Sequence, residues 1–314
     1  MTLTKYTTTI ILFFVSFFSI AQEAKELSEK AFELSKEGKY NKAIKTIEKA
    51  IKLDPKDLYI CEKSTYLNQS GVSTKEIIKF LTQEINKNST SPFLYQERGI
   101  NYQNIYRFQD ALLDYSEALK YAKEDSVKAS ILDYRGALYQ KIRKLELAKK
   151  DYEEAYKLDS TSWSIWNNYS IVLDDLGKID QSIYFLKKII KQDSTNVPAI
   201  MNLGFVLSNN KRYEEALLYL NQALELEPIN AFALNNRSYV KLMLGDPKEA
   251  LKDVNKSLEI NKGNSYAYKN RALILLELGK KQEACNDLKT AVEYGYTQFY
   301  GSEVEELIKK HCLK

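Results

Sequence analysis

The chain repeats itself with a period of 34 residues, and Trp163–Asn196, Val197–Asn230, Ala231–Asn264 and Ser265–Gln298 follow one another without a gap. A period of this length holds one helix-turn-helix unit. Such a unit cannot bury its apolar face alone and must stack on copies of itself. The template extends backwards to Ala24–Asp57 and Pro92–Asp125, to Ala129–Ser162 after a three-residue insertion, and loosely to Leu58–Ser91. Eight units are therefore expected, at 24–57, 58–91, 92–125, 129–162, 163–196, 197–230, 231–264 and 265–298.

Within a unit, positions 4, 7, 8 and 11 share one face of a first helix, and positions 20, 24 and 27 share one face of a second. Position 8 is small: Ala31, Gly99, Gly136, Ser170, Gly204, Ser238 and Ala272. Position 20 holds Ala43, Ala111, Ala148, Ser182, Ala216, Ala250 and Ala284, so the two helices can approach closely. Larger residues such as Tyr102, Leu173, Tyr115 and Leu186 fill the space between them. Pro55 and Pro228 stop second helices, and Gly38, Gly177, Gly245 and Gly279 turn the chain between helices. The 11 Gly and 5 Pro in 314 residues are too few for an all-β or loop-rich fold. The 46 Lys and Arg are interspersed with 42 Asp and Glu, and no basic block offers a nucleic-acid surface.

Both ends differ from the repeats. Lys5 precedes the apolar run from Ile10 to Ile20, and Ser19 and Ala21 have the spacing of a signal-peptidase site. Residues 1–21 are read as a leader cleaved after Ala21, which directs the chain to a secreted or periplasmic location. Membrane contact is expected only if that segment stays uncleaved. At the other end, Ser302-Glu303-Val304-Glu305 has the form of a capping box opening an amphipathic helix over 302–314, which would seal the last repeat. Of three cysteines, Cys285 and Cys312 are the expected disulfide partners in an exported chain, with Cys61 left over.

The residues at these positions resemble the tetratricopeptide repeat over nearly all of the chain after the leader. The fifth unit carries Trp166, Ser170, Leu173, Gly177, Ser182 and Leu186, and the sixth carries Gly204, Tyr213, Ala216, Ala223 and Pro228. The second departs from the pattern, with Thr65, Asn68, Ile77 and Glu84 at diagnostic positions. The resemblance implies an all-α, right-handed superhelical solenoid of paired helices, with first helices lining a concave groove.

Two patterns recur between units. Position 7 is Arg98, Arg135, Arg237 or Arg271 in four units, and position 23 of the same four is Asp114, Asp151, Asp253 or Asp287. Units without the Arg lack the Asp: Tyr169 accompanies Phe185, and Leu203 accompanies Tyr219. The exchange of a charged pair for an apolar one points to structural ion pairs between the two helices of a unit. Position 6 holds Asn168, Asn202, Asn236 and Asn270. Asparagine disfavours helix interiors, and its amide both donates to and accepts from an extended backbone. The row is similar to the asparagine ladder of O-linked N-acetylglucosamine transferases, which implies a peptide-binding site with Phe205, Tyr239 and Lys269 beside it. The bland alternative is that these amides bond to neighbouring helices. A carboxylate clamp of the kind found in chaperone-tail receptors would need Asn at position 9, where this chain has Ile100, Ala137, Ile171, Phe205, Tyr239 and Leu273.

No phosphate loop, C-x-x-C pair or histidine cluster occurs, and His311 is the only histidine. The expectation is a non-catalytic scaffold without cofactor, metal or small-molecule substrate. It would hold an extended segment of a partner polypeptide, or of an envelope complex, in its groove. The alternative is an assembly module that associates with itself or with an envelope complex through its convex face and ends.

Overall fold

A computed structural model of the chain describes residues 3–313, with side chains from 19 onward except that of Phe299. The predicted leader therefore lies largely outside the described side chains. Among the described residues every regular element is a helix, and none is long and apolar enough to cross a membrane. The chain forms two compact units, residues 1–138 with 157–159, and residues 139–156 with 160–314.

The first unit contains α1 (Leu3–Lys36), α2 (Tyr40–Leu53), α3 (Asp57–Gln69), α4 (Thr74–Lys87), α5 (Pro92–Asn104), α6 (Phe108–Tyr121) and most of α7 (Asp125–Lys141). The second contains most of α8 (Leu145–Leu158), then α9 (Trp163–Asp175), α10 (Ile179–Gln192), α11 (Val197–Asn209), α12 (Tyr213–Leu226), α13 (Ala231–Met243), α14 (Pro247–Ile260), α15 (Ser265–Glu277), α16 (Lys281–Glu293), α17 (Tyr296–Tyr300) and α18 (Glu303–His311). The α-solenoid architecture follows directly from this succession of helix pairs.

Local chemistry sets the helix ends. The last residue of a repeat caps the next first helix: Asn196, Asn230 and Asn264 accept from the backbone N–H groups of Ala199, Ala233 and Ala267 at 3.1, 3.0 and 3.2 Å. Position 15 takes the left-handed conformation that ends the first helix. Gly38, Gly177, Gly245 and Gly279 have φ of +72°, +72°, +84° and +75° there, whereas Tyr106, Arg143 and Lys211 adopt +61°, +59° and +59° at the same position. The three-residue insertion before residue 129 is absorbed as an extra turn at the start of α7, which spans 17 residues where α5 spans 13.

Small residues at position 8 have the steric role their size suggests. A Cβ placed on Gly99 would lie 2.8 Å from a Tyr115 ring carbon, and one on Gly204 would lie 2.7 Å from Leu220 Cγ. Both distances are shorter than side chains tolerate, so these helix pairs close only around glycine. The doubtful second repeat is nonetheless a helix pair. Its Ile77 is fully buried among Ile60, Leu81, Ile85 and Leu94, while Thr65 at position 8 stays exposed. A large residue at position 20 thus takes up the space that alanine leaves open elsewhere.

The C-terminal cap is present as α17 and α18, with Val304 wholly buried against α15 and α16. Its expected capping box does not form. Ser302 makes no side-chain cap bond. Its hydroxyl donates to Glu306 at 3.4 Å, and Glu305 accepts instead from the Thr297 hydroxyl. The short helix α17 delivers Thr297 as a competing donor, so the carboxylate never turns back to the backbone of Ser302.

Candidate functional site

In the second unit, the first helices α9, α11, α13 and α15 bring the position-6 asparagines into successive repeats. Each amide has a different environment. Asn202 Nδ2 donates to Asn167 Oδ1 of the preceding repeat at 2.9 Å, and Asn270 Nδ2 donates to Asn235 Oδ1 at 3.0 Å. The acceptor is thus position 5, one repeat earlier. Met201 holds that position in the sixth repeat, so Asn236 has no such acceptor. Its half-buried amide makes no hydrogen bond with any of the described residues. Asn168 is half-buried on α9.

Two residues expected in the groove do not face it. Asn270 is fully buried with its Oδ1 unpartnered, and Lys269 is 5% exposed. Lys269 Nζ lies 3.0 Å from Glu303 of α18 and stands over the rings of Tyr239 and Tyr266 at 5.7 and 5.2 Å. Tyr296 donates its hydroxyl to the same carboxylate at 2.8 Å. The cap therefore covers the last rung, whereas Asn202 and Asn236 stay partly exposed. Phe205 and Tyr239 remain half-buried on the inner helices. Burial raises the Tyr239 phenol above its ordinary value.

The arginines lie at the join between consecutive repeats. Arg98 donates to both Asp114 oxygens at 2.8 and 2.7 Å, Arg237 to both of Asp253 at 2.7 and 2.8 Å, and Arg271 to both of Asp287 at 2.7 and 2.7 Å. Each bidentate pair crosses the two helices of one repeat and is mostly shielded from water. Arg135 Nη1 reaches Ser116 Oγ at 3.4 Å, and Asp151 is buried on α8. The carboxylate of Asp253 also takes Lys241 at 2.8 Å. Burial works against its ionisation, but Arg237 and Lys241 outweigh that and hold it below the usual carboxylate range.

A third partner escaped the sequence reading. The remaining guanidinium nitrogen of Arg98, Arg237 and Arg271 donates to Thr82, Asn221 and Asn255 at 3.1, 3.0 and 3.1 Å. These are position 25 of the preceding repeat, as Ser116 is for Arg135. Where position 7 is Tyr169, position 25 of the repeat before it is Glu153, and the phenol donates to that carboxylate at 3.0 Å. A polar residue at position 25 ahead of each Arg was the available signal. Recesses of about 310 and 380 Å³ open over the Arg237 and Arg271 pairs and are lined by the same residues.

The first unit satisfies its inner helices differently. Ser28 donates to Glu62 at 2.7 Å, and Ser64 donates to Glu97 at 2.8 Å. Burial raises both carboxyls above their ordinary value against these hydroxyl donors. Cys285 and Cys312 form a disulfide that ties α16 to the end of α18. Cys61 is a free thiol, pushed up by burial. His311 lies half-exposed beside the disulfide, and no group of three metal-ligating side chains occurs among the described residues.

Comparison with known proteins agrees with this architecture. Tetratricopeptide repeat family models match residues 197–230, 27–57 and 135–162. No curated protein sequence matches the chain. Among solved structures, a tetratricopeptide repeat protein from Parabacteroides merdae is 18% identical over 92% of this chain and 98% of its own, with a TM-score of 0.50. The Cut9–Hcn1 hetero-tetramer of the APC/C gives 14% identity over 87% of this chain and 53% of its own, with a TM-score of 0.66. A thermophilic tetratricopeptide repeat protein from Thermus thermophilus gives 16% identity over 59% of this chain and all of its own, with a TM-score of 0.54. At these identities the likeness is one of fold.

Proposed function

Because this chain is a tetratricopeptide-repeat protein, a class that generally serves as protein-interaction scaffold, we propose that it holds an extended segment of a partner polypeptide against the inner helices of repeats five to seven. It does so without catalysis. The observation that carries this reading is Asn236, a helix-interior amide with no partner among the described residues, set three residues from Tyr239 and therefore on the same face. Asn202 leaves one N–H and part of its carbonyl free after bonding to Asn167. Amides of this kind bind peptide backbone without regard to side chain, and Phe205 and Tyr239 supply apolar anchors beside them.

The compartment belongs to the same proposal. An apolar leader over residues 1–21 and a disulfide in the mature chain both suit export to the periplasm or outside the cell. N-terminal sequencing of the exported protein should begin at Gln22.

The test of binding is a photo-crosslinking residue at Phe205, which should capture a partner in the exported fraction. The double variant Asn202→Ala, Asn236→Ala should lose that partner at least tenfold while keeping its helical circular dichroism. Undiminished capture by the double variant would reject the amide row as the binding element.

A further inference from the structure

Glu303, the first residue of α18, is the one carboxylate paired with Lys269 among the described residues. Its Oε1 lies 3.0 Å from Lys269 Nζ, and its Oε2 accepts from the Tyr296 hydroxyl at 2.8 Å. Two donors from different helices thus take one oxygen each. The exposure of this ion pair is inverted relative to the arginine pairs of the repeats. Asp114, Asp253 and Asp287 are the more shielded members of theirs, with side chains 6%, 9% and 9% exposed. Here the lysine side chain is 6% exposed and the glutamate side chain 52%. The cap does not depend on Glu303 for its anchorage. Val304 is wholly buried, Leu307 and Ile308 pack against the same cluster, and Cys312 is bonded to Cys285. Glu303 can therefore turn out to solvent while α18 stays docked, leaving Lys269 and Tyr296 as a two-donor cradle.

We propose that this cradle is a carboxylate-binding site of the groove, that Glu303 is its built-in occupant, and that a bound segment displaces Glu303 with a carboxylate of its own. The inference extends the groove reading above and rests on it. Tyr239 makes the link: it shares a face with Asn236, and its ring also lies 5.7 Å from Lys269 Nζ. A backbone held at Asn236 therefore passes beside the cradle. An ammonium this deeply shielded is costly without a counter-charge, so a neutral group cannot take the place of Glu303. Two donors aimed at separate oxygens select a carboxylate among anions. Asn202 and Asn236 bind backbone without regard to sequence, and Lys269 adds what they lack, a charge that fixes the register of the segment. The second donor, Tyr296, belongs to the cap and lies outside the repeats, which separates this site from a clamp built on position 9.

Fluorescence polarisation of the full chain, disulfide intact, with three labelled decapeptide pools tests the proposal. All three carry randomised uncharged residues: one has a central glutamate and an amidated end, one a central glutamine and an amidated end, and one a central glutamine and a free C-terminal carboxylate. At least one carboxylate pool should bind fivefold or more tightly than the amidated glutamine pool. A gain by the glutamate pool assigns the carboxylate to a side chain, and a gain by the free-acid pool assigns it to a chain end. Glu303→Gln removes the competing charge and should tighten binding of the favoured pool tenfold or more while leaving the amidated glutamine pool unchanged. Lys269→Met should erase the preference and keep the weaker binding common to all pools. If that variant fails to fold, Glu303→Gln decides alone, since its side chain is half exposed. Equal binding of the three pools, or a favoured pool that Glu303→Gln leaves unchanged or weakens, would overturn the carboxylate site and leave the groove reading standing. No binding of any pool to either protein would overturn both.

Discussion

Arg271 and Arg237 make the same bidentate contact, yet replacing each by leucine should cost different amounts. In Arg271→Leu, Asp287 is left in a buried position with no second cation among the described residues. Removing one partner of a buried pair costs about 3–5 kcal/mol. The lower end applies, because the Arg271 side chain is 26% exposed. In Arg237→Leu, Asp253 keeps Lys241 at 2.8 Å, and the loss is limited to about 1–2 kcal/mol for the hydrogen bonds removed. The double variant Arg271→Leu, Asp287→Tyr copies the Leu203 and Tyr219 pair of the sixth repeat. It removes the stranded carboxylate and should return to within about 1 kcal/mol of the parent. Urea unfolding followed by far-ultraviolet circular dichroism measures all three. The reasoning fails if Arg271→Leu is no more destabilising than Arg237→Leu, or if the double variant is as unstable as the single one.

Four further outcomes are expected. Reducing the Cys285–Cys312 disulfide, which closes a separation of 27 residues, should destabilise the capped end by about 3.5 kcal/mol on the chain-entropy model, read as faster amide exchange in α18. Gly204→Ala should cost about 1–3 kcal/mol by overpacking against Leu220, seen as a lower melting temperature. Lys211→Gly should instead raise it, since relief of a left-handed lysine worth about 1–2 kcal/mol exceeds the added chain entropy of about 0.5–1 kcal/mol. Glu97 has its carboxyl raised by burial, so the folded state binds its proton more readily than the unfolded one. Stability from this site is present at low pH and lost as pH rises from the ordinary carboxyl value through the raised one. Glu97→Gln should flatten that loss in melts taken across the interval, and an unchanged slope would contradict it.

Residues in contact within one repeat could be read from the chain alone. Arg98 and Asp114, like Arg237 with Asp253 and Arg271 with Asp287, are 16 apart, a separation set by helix pitch and the three-residue turn that these repeats share. Co-occurrence within the chain was enough to pair them. The same holds for Gly204 against Leu220 and for the glycines of the left-handed turn, where sterics leave few alternatives. Ile77 shows the limit of that legibility, because burial of its own side chain kept the second repeat helical where small-residue rules had failed.

Contacts between neighbouring repeats were decided by the tertiary structure. Whether a position-6 asparagine bonds inward or faces solvent depends on the residue at position 5 one repeat earlier: Asn167 engages Asn202, Asn235 engages Asn270, and Met201 leaves Asn236 unsatisfied. Lys269 reads as a groove residue by position, yet packing of α18 brings Glu303 onto it and removes the last rung from solvent. The physical reason is the reach of the interactions. Helical periodicity and short turns determine which residues within a repeat must meet, while the stacking of one repeat or cap on the next determines which of the remaining polar groups are left for a partner.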